Sequence, residues 1–181
     1  FEFVLIQNKK TIIKKKSRQL KSISEKLVVD IERALSKLKL NYKSIKEIVV
    51  ITGPGSFTGI RSAITFAKTL SIYLKIKVIG ISKFEVLNLL SMNDQKSKEK
   101  SIFVNNNQST FFLQKFNSSG EAISVPELVD LKEKGIKTSK KERIISDGLK
   151  LREYIDCGKK LKTVNLIEII GYRIEDIYKL S

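Results

Sequence analysis

The sequence predicts an α/β protein, and three features of the chain carry that prediction. β-Branched runs of strand length alternate with stretches whose apolar residues recur at helical spacing. The clearest alternation runs from Glu47 to Leu74, where an apolar strand passes through a glycine-rich loop directly into a helix. Polar stretches separate the elements, and 181 residues suffice for one domain with a real core, or for one and a half with a small appendage.

Phe1-Glu2-Phe3-Val4-Leu5-Ile6 opens a strand expected at about 2 to 7, and a second is expected at 11 to 16. Lys9-Lys10 and Lys14-Lys15-Lys16 flank this hairpin and are read as solubilising its edge. A helix near 22 to 39 places Ile23, Leu27, Ile31, Leu35 and Leu38 on one face, and Ser22-Ile23-Ser24-Glu25 at its start fits a capping box. Glu47-Ile48-Val49-Val50-Ile51-Thr52 reads as a buried strand. Beyond the loop, Ile60, Ala63, Ile64, Ala67, Leu70 and Leu74 define a helix at about 60 to 74. Phe66, Ile72 and Tyr73 lie off that stripe, so this helix needs cover on more than one side: a sheet on one, a neighbouring helix or a partner on the other.

Further strands are expected at 77 to 81, 101 to 105, 110 to 116 and 143 to 146, with helices near 149 to 156 and 166 to 179. Asn106-Asn107 reads as a hairpin turn, because asparagine tolerates left-handed φ. Residues 91 to 100 are polar and read as a linker between an N-terminal lobe at 1 to 90 and a reduced C-terminal lobe at 101 to 181. Gly135 to Glu142 forms a second charged loop.

The loop Gly53-Pro54-Gly55-Ser56-Phe57-Thr58-Gly59-Ile60-Arg61 holds three glycines in seven residues. Gly53 precedes proline and is expected to be extended, while Gly55 and Gly59 allow positive φ or close backbone approach. Ser56 and Thr58 are both good N-caps. Such a loop at a helix N-terminus can cradle an anion on its amides. It lacks the Lys-Ser or Lys-Thr that a triphosphate-binding P-loop requires, and a tight turn for helix-sheet packing fits equally well. Arg61 opposes the helix dipole by about 0.3 to 1 kcal/mol, a local conflict of the kind that clusters where a site or partner compensates it.

Composition removes several classes. The chain has no histidine, so serine-histidine triads and histidine zinc sites are excluded. No Lys or Ser is singled out as a nucleophile. Carboxylate neighbours such as Asp30/Glu32 and Glu175/Asp176 fall on helical stretches and read as solvated faces. A single cysteine, Cys157, forbids an internal disulfide and a cysteine-cluster zinc site and fits a reducing compartment. No run approaches the ~20 apolar residues of a membrane span. Phe1 carries neither an initiating Met nor a signal-peptide pattern, which reads as a cytoplasmic protein truncated or processed at its start.

The formal charge is +16, and residues 1 to 100 hold 21 basic and 8 acidic side chains against 14 and 11 in the remainder. That surplus fits attraction to RNA. Lysine outnumbers arginine 29 to 6 beside abundant isoleucine and asparagine, a balance that an AT-biased genome also produces. Base reading leans on arginine and aromatics, so the basic face is expected to be auxiliary.

The nine residues from Gly53 to Arg61 closely resemble the signature of the TsaB/YeaZ family. Ala67-Lys68-Thr69-Leu70 is similar to the family's Ala-Lys-Gly-Leu, Val78-Ile79-Gly80-Ile81-Ser82 to its next strand, and Phe84-Glu85-Val86-Leu87 to its Leu-Glu-Ala-Leu. The resemblance covers residues 1 to about 90. It implies an actin-like (ASKHA, ribonuclease-H-like) mixed sheet flanked by helices. The family's first strand, with its Ile-Asp-Thr-Ser, is absent here, which would leave an unpaired position near the sheet centre, and the second lobe is reduced. Where the family often carries Asp-Ala-Arg-Arg-Gly-Glu-Val-Tyr, this chain reads Val104-Asn105-Asn106-Asn107-Gln108-Ser109-Thr110-Phe111-Phe112, without the carboxylate and arginines.

By the same resemblance, the chain is a non-catalytic scaffold, with no cofactor of its own, for making N6-threonylcarbamoyladenosine in tRNA. It would pair with a TsaD-type catalytic paralogue, with a TsaE-type ATPase joining, or close on itself as a homodimer. The implied pairing surface comprises Ile23, Leu27, Ile31, Ile60, Ala63, Ile64, Ala67 and Lys68; tRNA is reached indirectly or through the basic face. Two other readings are a basic RNA-binding module and a threonylcarbamoyl transferase or protease-like enzyme of the same fold.

Overall fold

A computed structural model describes residues 1–8, 10–17, 23–91, 99–134, 142–148, 151, 154 and 165–168. The capping box proposed at Ser22 and the helix proposed beyond residue 168 lie outside them. The chain divides into two compact units, one built on Phe1–Ser82 and the other on Lys83–Tyr172.

In the first unit, β1 (Glu2–Gln7) and β2 (Lys10–Lys16) pair antiparallel around a turn in which Asn8 takes φ +53°. Helix α1 (Ile23–Lys37) lays Leu27, Ile31 and Leu35 on Phe1, Phe3 and Leu5, so the 3.6-residue spacing of the helix meets the two-residue spacing of the strand. Asp30 is the exception on this helix. The sequence reading placed it on a solvated face, but it is 2% exposed and bonded to Lys15 Nζ at 2.7 Å. A buried carboxylate requires such a cation, and Lys15 thereby ties β2 to α1 instead of serving only the hairpin edge.

A short 3-10 turn, Tyr42–Ser44, is capped by Asn41, whose Oδ1 accepts from the Lys43 amide at 3.0 Å. It leads into β3 (Glu47–Gly53), α2 (Phe57–Leu74) and β4 (Lys77–Ser82), with β3 and β4 parallel and Glu47 opposite Lys77. Helix α2 buries Ala67 and Leu70, packs on β3 and β4, and sends Phe66 into the α1 cluster, 6.3 Å edge-on from Tyr42. It is thus covered on two sides, as its wide apolar circumference requires. The β1–β2 and β3–β4 pairs are separate two-stranded sheets.

In the second unit, α3 (Lys83–Leu90) precedes β5 (Glu99–Asn105), β6 (Thr110–Asn117), β7 (Glu127–Asp130), α4 (Leu131–Lys134), β8 (Glu142–Ser146) and β9 (Asn165–Glu168). The five strands lie in the order β7-β6-β5-β8-β9. One sheet face packs Ile102, Val104, Phe116 and Ile145 against Phe84 and Leu87 of α3. The other buries Phe103, Phe111, Leu113 and Ile144 with Leu131 and Leu151. Strand β5 is therefore apolar on both faces, which explains its continuous Ile102-Phe103-Val104 run.

Two expectations are corrected here. Residues 165–168 form a strand parallel to β8, with Ile144 opposite Leu166, where a helix from 166 was expected. A short apolar run satisfies both periods, and the open edge of β8 decides between them. The Asn106–Asn107 turn contains no left-handed asparagine; Asn107 Oδ1 instead accepts from the Thr110 amide at 3.2 Å and hydroxyl at 2.7 Å.

One glycine carries a steric demand. A Cβ on Gly80 would stand 2.8 Å from Thr52 Cγ2, and Thr52 is oriented by its hydroxyl donating to the Ile81 carbonyl at 3.3 Å. Gly80→Ala is expected to cost about 1–2 kcal/mol in urea unfolding, and adding Thr52→Ser, which keeps the hydroxyl and removes Cγ2, should restore most of the loss. Additive costs would contradict this contact.

Candidate functional site

The signature loop occupies the β3-to-α2 reversal. Gly53, at φ +123°, is the residue whose backbone demands glycine, and it is not extended as expected. Its peptide bond to Pro54 is cis. Gly55 and Gly59 do not have positive φ; added Cβ atoms would meet Ile60 Cδ1 at 3.6 Å and Ser56 Oγ at 3.5 Å, ordinary contacts. Ser56 is the N-cap, its hydroxyl accepting from the Gly59 amide at 3.4 Å, and Thr58 lies one residue inside the helix. Ser62 donates back to the Thr58 carbonyl at 2.8 Å and shares a 2.7 Å hydroxyl contact with Ser24, so the starts of α1 and α2 lie together.

Arg61 finds local compensation. Its guanidinium lies 5.1 Å from the centroid of the Phe57 ring, a cation-π contact between two exposed side chains. That stacking offsets the unfavourable position of a cation in the first helical turn.

The residues proposed for partner contact separate by burial. Leu27, Ile31 and Ala67 are buried within the unit, while Ile60, Ala63 and Ile64 are half-buried and Lys68 is exposed. Ile23 is helical. The outward side of α2 carries Phe57, Arg61, Thr65, Lys68, Thr69, Ile72 and Tyr73. Phe57 is 72% exposed, Ile72 80% and Tyr73 74%, with Val28 and Val29 of α1 also exposed.

In the second unit, an open cleft of about 300 Å3 lies beyond the carboxyl ends of β5 and β8, lined by Asn105, Phe111, Ser146, Asp147 and Gly148. Asp147 is committed to structure there: one carboxylate oxygen meets Lys83 Nζ, and the other accepts the Asn105 amide at 2.9 Å. At the opposite strand ends, Lys100 is 3% exposed and donates to Asn88 Oδ1 at 3.2 Å, and Asn88 Nδ2 donates to the Gly120 carbonyl at 2.7 Å. Burial, and secondarily the facing Arg143, hold the Lys100 ammonium below the ordinary lysine value of 10.5. A lysine beside Ser101-Ile102 in a strand gives no sequence signal of this burial. Among the described residues, no group of three His, Cys, Asp or Glu side chains could hold a metal, and no helix is long and apolar enough to cross a membrane.

Each of the two units is a mixed α/β assembly of sheet and helices, and solved structures share this fold. "YeaZ from Pseudomonas aeruginosa" superposes with a TM-score of 0.69 at 16% identity, covering 99% of this chain and 84% of that one. A second structure, of an uncharacterized protein with similarity to peptidase YEAZ from the same organism, gives 0.68 at 14%, covering 99% and 83%. The family model described as "TsaD: tRNA N6-adenosine threonylcarbamoyltransferase" matches residues 17–177. A curated relative from Buchnera aphidicola subsp. Schizaphis graminum, "tRNA threonylcarbamoyladenosine biosynthesis protein TsaB", is 32% identical over 102 residues, 56% of this chain and 49% of its own length. Its namesake from subsp. Acyrthosiphon pisum is 25% identical over 154 residues, 77% of this chain and 70% of that one. The chain belongs to the TsaB/YeaZ family. Its match to the first of these relatives spans about half of that protein's length.

The buried lysine yields a signed expectation. Between its depressed folded value and 10.5, the unfolded chain binds more protons at Lys100 than the folded one, so stability rises with pH in that window, and the burial penalty is complete below it. Wild type should therefore gain stability relative to Lys100→Met between about pH 8 and about pH 10 in urea unfolding. A constant difference between the two proteins would show that Lys100 does not titrate in the folded state as argued.

Proposed function

We propose that this chain is an accessory, non-catalytic subunit in the biosynthesis of N6-threonylcarbamoyladenosine in tRNA, acting in the cytoplasm by pairing with a TsaD-type catalytic paralogue. The exposed apolar side of α2, with Phe57, Ile72 and Tyr73 in water, carries this reading. Family membership and the TsaB names of the curated relatives give the pathway. The pairing surface would combine that side of α2 with Val28 and Val29 of α1. Leu27, Ile31 and Ala67, buried beneath, would hold the two helices in place, with Ile60, Ala63 and Ile64 at the margin. The same surface would accept a second copy of this chain when the paralogue is absent, and a TsaE-type ATPase would join the assembled pair.

Asp147 is bonded to Lys83 and to the Asn105 amide, and Lys100 is buried, so neither presents an obvious free acid, base or nucleophile.

Size-exclusion chromatography with light scattering tests the pairing. Wild type mixed with the paralogue from the same organism should run as a 1:1 complex. Ile72→Glu, an exposed change, should weaken it by at least about tenfold and leave the thermal midpoint unaltered. A wild-type chain that stays separate from the paralogue at micromolar concentration would refute the reading.

A further inference from the structure

Positive charge in this protein is concentrated by position. Phe1–Ser82 carries 17 basic and 5 acidic side chains, against 16 and 12 in Lys83–Tyr172. Within the first unit, six exposed lysines meet at the end opposite the signature loop: Lys37, Lys39, Lys43, Lys46, Lys75 and Lys77. The topology brings them together. The starts of α1 and α2 touch through Ser24 and Ser62, so both helices run toward this end. Lys37 and Lys39 close α1, Lys75 closes α2, and Lys43 belongs to the 3-10 turn that links α1 to β3. Lys46 precedes β3, and Lys77 begins β4 directly opposite Glu47. Glu47, 3.6 Å from Lys77 Nζ, forms an ion pair with one of the six.

A lysine-rich composition alone would scatter these charges. Helix ends favour cations, which accounts for part of the pattern. It does not account for the backbone under two of them. Lys39 has φ +57° and Lys75 φ +54°, the left-handed conformation that ends a helix and belongs to glycine. At α1 the motif is complete: the Leu40 amide donates to the Leu35 carbonyl and the Lys39 amide to that of Ser36, both at 2.9 Å. Both helices therefore end on a lysine where glycine folds best.

We propose that this lysine pole is a docking surface for the phosphate backbone of folded RNA, and that within the tRNA-modification reading above the RNA is the tRNA itself. Lysine dominates this pole, with exposed Arg33 one turn before Lys37 and exposed Tyr73 two residues before Lys75, and a cluster of lysines suits backbone contact better than base reading. The surface acts by counterion release, holding RNA without choosing its sequence. Its lysines belong to elements other than β2, where Lys14 and Lys15 are engaged by Glu2 and Asp30.

The test is fluorescence anisotropy of an unmodified tRNA transcript with the whole chain at several KCl concentrations. Lys39→Gly/Lys75→Gly should keep or raise the thermal midpoint while lowering affinity about tenfold, and should flatten the log-affinity against log-salt slope by about 1.5 to 2. Lys43→Ala/Lys46→Ala should behave alike toward RNA. Lys10→Ala/Lys16→Ala, an equal loss of charge on β2, should alter affinity by less than about twofold. Equal losses from the pole and from β2, no affinity of wild type for tRNA, or binding to phosphatidylserine vesicles without binding to tRNA would each overturn the proposal. Comigration of the same variants with the paralogue separates the two claims. Pole variants that bind tRNA like wild type yet comigrate sink this inference alone. Wild type that fails to comigrate but binds tRNA through the pole sinks only the pairing.

Discussion

The reversal at Gly53 is the constraint from which the first unit follows. At φ +123° the backbone demands glycine, and an added Cβ would stand a tight 3.2 Å from Ile60 Cδ1. Because the chain turns there, Ser56 can cap α2 at once, and the helix runs back along the strand it has just left. One side of α2 is then spent on β3 and β4 through Ala67 and Leu70, and a second on α1 through Phe66. Phe57, Arg61, Ile72 and Tyr73 lie on the side of α2 that none of the described elements of the unit covers.

Charge is handled in two ways. Asp30 is buried under α1 and tolerated because Lys15 reaches it, and Asp147 is held by Lys83 in the second unit; each pair fixes a helix to a strand or its end. The six lysines at the far end of α1 and α2 follow another rule: among the described residues, only Lys77 of the six forms an ion pair, with Glu47. Ion pairs that build the fold are partly or wholly buried and local, whereas the pole is solvated and collective. A collective charge of one sign lowers stability through self-repulsion, keeps the protein soluble and attracts polyanions.

Much of this was legible in the sequence, and the failures have physical causes. Strands at 2–7, 47–53 and 110–117 could be read because their apolar residues alternate or run together between clear breaks. Helix α2 was legible from its period, although its start lay three residues earlier, where Ser56 and not the first apolar residue sets the boundary. Asp30 was misjudged because its neighbour Glu32 is exposed, and only the register of β2 against α1 reveals the lysine that buries it. The strand at 165–168 was read as helix because Leu166 and Ile167 suit either element, and the vacant edge that recruits them is a tertiary fact. Helix α3 was missed because Phe84, Val86 and Leu87 are covered on more than one side and leave no polar face to mark a period.

The candidate site was legible as residues and not as a surface. Gly53 to Arg61 identified the family, yet the loop's glycines serve the turn, and the residues with something left to offer lie further along the same helix. Arg61 at the N-terminus of α2 and Lys75 at its C-terminus both sit where folding alone would choose otherwise, one against the helix dipole and one in a left-handed backbone. The first is offset within the chain by the Phe57 ring. The second, at φ +54°, keeps its lysine in a conformation that glycine adopts more readily.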